Sequence, residues 1–301
     1  MKYKVAAIQM DIKPFDKAEN ENRAMQLLDE AASEGARAVC FPEYFLTGPP
    51  QQGQTMEEIR NLAETIPGPV TSRLAEKAAR HGLFIVAGSM LELRQDRLYN
   101  TSALIDSKGE LVGTFQKAHS ENAPAKYEPG CGVLPGTGEY PVFDTEIGKI
   151  GIMIDMDGTC PEVPRILGLK GAQVIFWPVN WSAKFIKTID VLGKASSIYS
   201  HAYIVSANPV GWRQKAPLHK WAFMGASHVD LMYGGGSGVI FGVKYLAAVS
   251  DFAQGMAIAS IDTENSMQAR RNDAEIYPNW RRPETYKTLV DPKYTSPTII
   301  G

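Results

Sequence analysis

Three charged residues in this 301-residue chain follow directly on apolar runs: Glu43 in "FPEYF", Lys117 in "FQKAH" and Asp155 in "GIMIDMDG". Two carboxylates held close together resist ionising at the same time, so one can donate a proton while the other accepts one. A lysine beside them can hold an anionic substrate or a developing oxyanion. This chemistry requires the three tips to meet. Strand ends in α/β proteins converge on a cleft, which gives them a route to do so. Taken singly, each reads equally as a surface charge at a strand terminus.

Other chemistries have weaker signals. The glycine-rich "GGGSGVIFG" at 234–242 fits neither GxGxxG nor GxxxxGK[ST] and reads as a loop entering a strand, and Ser237 is not in a GxSxG elbow. His81, His119, His201, His219 and His228 lack the spacing of a metal site. Cys40, Cys131 and Cys160 form no CxxC pair, so neither a metal, a cofactor nor a disulfide framework is expected. Each cysteine reads first as a small buried hydrophobe. With 31 basic and 33 acidic residues the net charge is −2, which provides no field to gather nucleic acid or an acidic membrane. The apolar run in "MKYKVAAIQMDI" is too short for a signal h-region, and no 18-residue apolar stretch follows. A cytoplasmic protein acting on a small molecule is the expectation.

The elements that must position the three charges alternate. "KVAAIQM" reads as a strand, and the segment after it carries Ala24, Leu27, Leu28 and Ala31 at helical spacing up to Gly35. "RAVCFPE" is a buried strand, residues 69–81 a helix stopped by Gly82, and "LFIVAGSML" a further strand. "YNTSALIDSKGELVGTFQKAH" has the form of a hairpin. The second half repeats the theme: strand 149–155, a helix near 161–170, strand "QVIFWP", a helix near 187–200, strand "YIVSANP", and two strands within 236–261. Mixed sheets covered by helices follow, in one domain over 1–301, because no Pro-, Ser- or charge-rich stretch divides the chain. The tail from about 275 to 301 is expected to run extended over the body or at a subunit contact.

The three motifs, in this order, together with Gln9 in "AAIQM", "EAASEGARAVCFPE", "YNTSALID", the "EPG" at 128–130, "GKIGIMI", "PEVPRILGLKGAQVIFWPVNW" and "AYIVSANPVG", resemble the nitrilase superfamily of carbon–nitrogen hydrolases over nearly the whole chain. The resemblance implies a four-layer αββα sandwich that dimerises through its helical layer, where Ile166, Leu169, Ile189 and Leu192 could face a second copy. It also implies a Glu base, a Lys that steadies the oxyanion and a Cys nucleophile. Glu43 and Lys117 match the first two, and Asp155 stands where the Cys is expected. Counting back from Tyr127 for the family's second Glu reaches Ala123, so that Glu reads as absent unless Glu121 substitutes. "SSIYS" at 196–200 is a further departure, which points to natural divergence rather than a single engineered change. Glu121 and Met156 are possible supporting residues.

A carboxylate is a far weaker nucleophile toward amides than an activated thiol, so a thioester route is not expected. Three readings stay open: acid–base chemistry by Glu43 and Asp155 (hydrolysis, hydration or a lyase or isomerase step), covalent attack by Asp155, or a catalytically silent pocket that binds a ligand. Tyr44, Phe45, Trp181 and Tyr199 are candidate substrate contacts, and the resemblance implies that the segments of Tyr199 and Trp212 come near the pocket. The loop 212–235 reads as a lid or a dimer contact.

Overall fold

The computed structural model describes residues 1–51, 53–120, 127–213, 227–276 and 281–291. Residues Val5 to Gln9 of the first strand, β1 (Lys2–Gln9), are buried without a break, which marks a strand covered on both faces. Then follow α1 (Lys17–Ser33), β2 (Ala36–Cys40), α2 (Met56–Leu62), α3 (Pro69–His81), β3 (Phe84–Val86), β4 (Met90–Arg94), β5 (Arg97–Ile105), β6 (Leu111–Gln116), α4 (Tyr127–Gly130) and β7 (Val133–Leu134). The strands form a sheet in the order β16-β1-β2-β3-β5-β4, with β6 and β7 paired to β5; β16 (Gly255–Asp262) arrives from the far end of the chain and pairs antiparallel with β1.

The second sheet is built from β8 (Val142–Thr145), β9 (Gly148–Ile152), β10 (Val174–Pro178), β11 (Tyr203–Ala207), β14 (Gly238–Phe241) and β15 (Lys244–Ala248), in the order β15-β14-β11-β10-β9-β8. Each sheet has three parallel strands at its centre and antiparallel strands outside them. Helices α5 (Glu162–Leu169) and α6 (Ile186–Ser200) lie between strands of this sheet, β12 (Val210–Trp212) and β13 (Met232–Gly234) pair as a separate ribbon, and α7 (Thr263–Ile276) follows β16.

Side-chain alternation divides the interior. Val5, Ala7, Ala38, Cys40, Phe84 and Val86 face the second sheet and pack with Ile150, Ile152, Val174 and Phe176. Ala6, Ile8, Val39 and Ile85 face the other way, against Ala24, Leu28 and Ala31 of α1 and Leu74 and Ala78 of α3. Val163 and Leu167 of α5 and Ile189 of α6 cover the second sheet. The order is therefore helix, sheet, sheet, helix.

Three expectations change. The strand expected over 83–91 is two strands, broken at Gly88, whose φ is +43° and where a Cβ would lie 2.0 Å from the Pro42 carbonyl oxygen. Two helices without a marked apolar stripe, α2 and α7, were not anticipated, and the last stretch 236–261 holds three strands rather than two. Of the four apolar positions expected to face a second copy, Ile189 is fully buried in its own subunit, Ile166 and Leu192 pack partly against the core, and Leu169 is 50% exposed. No described helix is long and apolar enough to cross a membrane. Most of the loop 212–235 and much of the tail (277–280 and 292–301) lie outside the described residues.

Candidate active site

The ends of β2 and β9, from the parallel centres of the two sheets, and of the antiparallel β6 bring three chain segments to one point. Glu43 follows β2, and its backbone N–H donates to the carbonyl of Val179 just after β10, 3.2 Å away, so the two sheets are tied at this edge. Lys117 follows β6, its N–H bonded to Asn100 O of β5 at 2.9 Å. Asp155 opens a 3₁₀ turn, Asp155–Thr159, after β9. Its φ of +44° is a conformation that Asp adopts more readily than most side chains, and it sets the carboxylate at a sharp bend. Two contacts hold the bend: Trp177 Nε1 donates to Asp155 O at 3.0 Å, and the Asn180 N–H donates to Asp155 Oδ1 at 3.3 Å. A Cβ on Gly158 would lie 2.4 Å from the Trp177 ring, so the turn can close on the indole only with glycine there.

The three tips share one ammonium. Lys117 Nζ lies 2.9 Å from Glu43 Oε1 and 3.1 Å from Asp155 Oδ2. A third carboxylate joins them: Glu128 Oε2, also 3.1 Å from Nζ. Glu128 belongs to the single-turn α4, and its Oε1 accepts from Tyr44 Oη and Asn100 Nδ2, each at 2.8 Å. Asn100 Nδ2 also donates to Glu43 Oε1 at 2.7 Å. The expectation that no second Glu stands beside the lysine is thus corrected. Glu128 occupies that place from within the "EPG" motif, while Glu121 lies outside the described residues.

Side chains of the lysine and all three carboxylates are only 3% exposed, so charge here cannot be relieved by water. Burial, reinforced by repulsion from Asp155, pushes the Glu43 carboxyl well above the usual range, and Lys117 and its hydrogen bond only partly oppose this. Burial also opposes the ammonium of Lys117, but attraction from Asp155, Glu128 and Glu43 outweighs it and holds the lysine charged. Glu43 is accordingly biased toward its protonated form, while its Oε1 accepts from Asn100 Nδ2 and Lys117 Nζ. The arrangement holds three carboxylates, Glu43 biased toward its protonated form, within reach of one fixed cation.

The family model for carbon–nitrogen hydrolases matches residues 4–271. The chain belongs to that family. It is 34% identical to a nitrilase of Pyrococcus abyssi over 69% of this chain and 75% of that one, and 29% identical to an omega-amidase of Xenopus tropicalis over 73% and 82%. The fold matches that of a carbon–nitrogen hydrolase from Helicobacter pylori with a TM-score of 0.84 at 20% identity, covering 97% of this chain and 99% of the other.

In this member of the family the aromatic residues expected at the substrate separate. Tyr44 is part of the cluster through Glu128, its phenol held neutral by burial and by that carboxylate. Trp181 is nearly buried and meets Trp177 edge-on at 5.9 Å, behind the residue that holds Asp155. Phe45 instead stacks on Phe41 at 5.1 Å in the outer core between the first sheet and its helices, and Tyr199 is 45% exposed on α6. For Phe45 a hydrophobic neighbourhood, and for Tyr199 a helix surface, decide the placement. Met156 is half-buried in the 3₁₀ turn, and its carbonyl accepts from Thr159 Oγ1 at 2.7 Å. Asn100, Glu128, Trp177 and Asn180 were not picked out from sequence. All four lie inside motifs that carry the family resemblance, Asn100 in "YNTSALID", Glu128 in "EPG", and Trp177 and Asn180 in "QVIFWPVNW", but nothing in those motifs singled them out.

Proposed function

We propose that this protein cleaves or adds across a carbon–nitrogen bond of a small molecule by acid–base chemistry, without a thioester. Asp155 takes a proton from a water molecule as the resulting hydroxide adds to the substrate carbon. Lys117 holds the oxygen that gains charge, and protonated Glu43 delivers its proton to the departing nitrogen. Asp155 regains its charge when the proton passes on to solvent or product, and Glu43 is reprotonated. The observation that carries this reading is the Lys117 nitrogen shared by Glu43 and Asp155, with Glu43 biased toward its protonated form. Relatives named nitrilase and omega-amidase support nitriles and amides as the first substrates to test.

Asp155→Asn keeps the shape of the site and removes the proton acceptor. It should lower turnover about 10²–10⁴-fold, the usual contribution of a positioned proton-transfer group. Single-turnover reaction in ¹⁸O water separates water activation from attack by Asp155 itself, since only the covalent route leaves label in the Asp155 carboxylate.

A second reading is that the pocket binds a ligand without turning it over. It is favoured by the closure of the cluster, in which each of the three carboxylates already pairs with Lys117 and all four side chains are only 3% exposed. Tight binding of a small amide, nitrile or carboxylic acid without turnover, unchanged in Asp155→Asn, would establish this reading over the catalytic one.

A further inference from the structure

Lys117 stands at the end of β6 in the first sheet and Asp155 follows β9 of the second, so the 3.1 Å contact between their tips spans two sheets. Apolar contact between sheets is non-directional, and it fixes their separation more firmly than the sideways register of two strand ends. A site that moves protons needs its groups held to within about 0.5 Å, which calls for directional bonds. Glu43 has such bonds to the second sheet: its N–H donates to the Val179 carbonyl at 3.2 Å, and its carbonyl accepts from Asn180 Nδ2 at 3.1 Å.

Asp157 supplies the equivalent for Lys117. Its side chain is fully buried, and its two oxygens serve different segments. Oδ1 accepts the backbone N–H groups of Ala118 and His119, the two residues directly after Lys117, at 3.2 and 3.0 Å. Oδ2 accepts the N–H of Ile154, directly before Asp155, at 3.0 Å. The Asp157 N–H returns to the Ile154 carbonyl at 2.9 Å, so the carboxylate is itself fixed to the turn it holds. From the solvent side His119 braces it, with Nδ1 2.8 Å from Oδ1 and the ring lying nearly parallel to Tyr140. The hydrogen bond to Asp157 is the main cause that raises the His119 imidazole to about 10, so at neutral pH the ring is an imidazolium that donates to the carboxylate.

We propose that Asp157, braced by His119, is a positioning residue that straps the end of β6 to the turn after β9 and so sets the distance between Lys117 and Asp155; this rests on the reading of the lysine–carboxylate cluster as the active site. The strap acts through the backbone on either side of the two reacting groups. It needs two acceptor oxygens on one short side chain, because each oxygen holds a different segment. Asparagine offers one acceptor: its oxygen can keep one segment, while its –NH₂ faces the N–H donors of the other. Asp157→Asn therefore releases one end of the strap and leaves Lys117, Asp155 and their shared contact chemically unchanged.

The test compares crystal structures of the full chain as wild type, Asp157→Asn and Ile240→Val, the last a methyl deletion in the core at β14 that loosens packing without touching the strap. Lys117 Nζ and Asp155 Oδ2 should stay near 3.1 Å in wild type and Ile240→Val, and should part beyond about 4 Å, the reach of an ion pair, in Asp157→Asn. An unchanged separation in Asp157→Asn, or an equal change in Ile240→Val, would overturn the proposal. On any nitrile or amide that wild type turns over, Asp157→Asn should lower kcat about 10²-fold with KM little changed, the scale of a 1 Å misplacement, and an unchanged kcat would also overturn it. A wild type that turns over none of them removes the acid–base reading, and the distances still decide the strap. Should Asp157→Asn fail to fold, hydrogen exchange of wild type decides. The N–H groups of Ala118, His119 and Ile154 should exchange as slowly as those of β9 and β10, and exchange at the rate of exposed loops would remove the strap.

Discussion

Lys117 and His119 stand two residues apart at the end of one strand, and each meets a buried aspartate from the turn 155–159, yet the two meetings are built differently. Around Lys117, one ammonium faces three carboxylates at 3% exposure, so negative charge is in excess, and Glu43 is the carboxyl that burial and Asp155 push toward its protonated form. Around His119, the buried charge of Asp157 is met mainly by three backbone N–H groups, and its imidazole partner reaches solvent. A carboxylate held by backbone donors keeps its place whatever the partner's protonation. One held by other side-chain charges stays only while those charges stay. The His119 side is thus suited to anchoring, and the Lys117 side to proton movement.

The sharpest way to break this contrast is to remove the central cation. Lys117→Met leaves Asp155, Glu128 and Glu43 buried without a counter-charge, and should cost about 3–5 kcal/mol of stability at pH 7, in the range for breaking a buried ion pair from one side. Chemical denaturation would measure it. A loss below about 1 kcal/mol would mean that water reaches the cluster. Asp157→Asn tests the other side. It removes a charge whose partners are mostly backbone amides, and leaves at least one of the three N–H groups facing an amide –NH₂. The expected loss is smaller, about 1–3 kcal/mol, the cost of an unsatisfied buried donor.

The same distinction explains what was legible in the sequence. Glu43, Lys117 and Asp155 could be found because each ends an apolar run, and strand ends in this fold converge. The buried strands of the mixed sheets were readable for a related reason, from unbroken apolar runs such as "VIFWP" and "YIVSA". Glu128 escaped because it sits in a one-turn helix with no periodic signal, and counting from Tyr127 led away from it. Asn100, Trp177 and Asn180 are ordinary strand or post-strand residues, whose partners are set by pairing across 22 to 137 positions of sequence and by no local pattern. Phe45 and Tyr199 were overread, since an aromatic beside a charged motif packs in a core or on a helix as readily as in a pocket. The antiparallel union of β1 with β16, at opposite ends of the chain, had no signal at all.

The pH dependence of His119 sharpens the comparison with a smaller effect. Its folded value lies near 10, above the reference of 6.5, so its contribution to stability is complete below pH 6.5 and is lost as pH rises through 10. His119→Gln should therefore be less stable than wild type by about 1 kcal/mol at pH 6, the scale of a partly exposed ion pair rather than of the full displacement, because solvent screens a ring that is 42% exposed. The gap should close as pH is raised to 10. A gap that is constant from pH 6 to pH 10 would show that the lost contact is packing and not charge.

The smallest effect is expected at Glu43, and its sign is the most informative. Glu43→Gln replaces a buried neutral acid with a neutral group of nearly the same shape, and an amide oxygen can still accept from Lys117 and Asn100 as Oε1 does now. Stability at pH 5 should change by less than about 1 kcal/mol, as for a substitution that conserves volume and hydrogen bonding. Since burial and Asp155 raise the Glu43 carboxyl, the folded state holds a proton that the unfolded chain releases. The contribution of that group is thus present below its ordinary titration range and lost as pH climbs through the raised value. Glutamine does not titrate, so the variant should gain on wild type steadily from pH 5 to pH 9 in parallel denaturation curves. A wild type that instead gains on the variant would place the ionised form of Glu43 in the folded site, and the proton that the acid–base scheme assigns to Glu43 would have to come from another group.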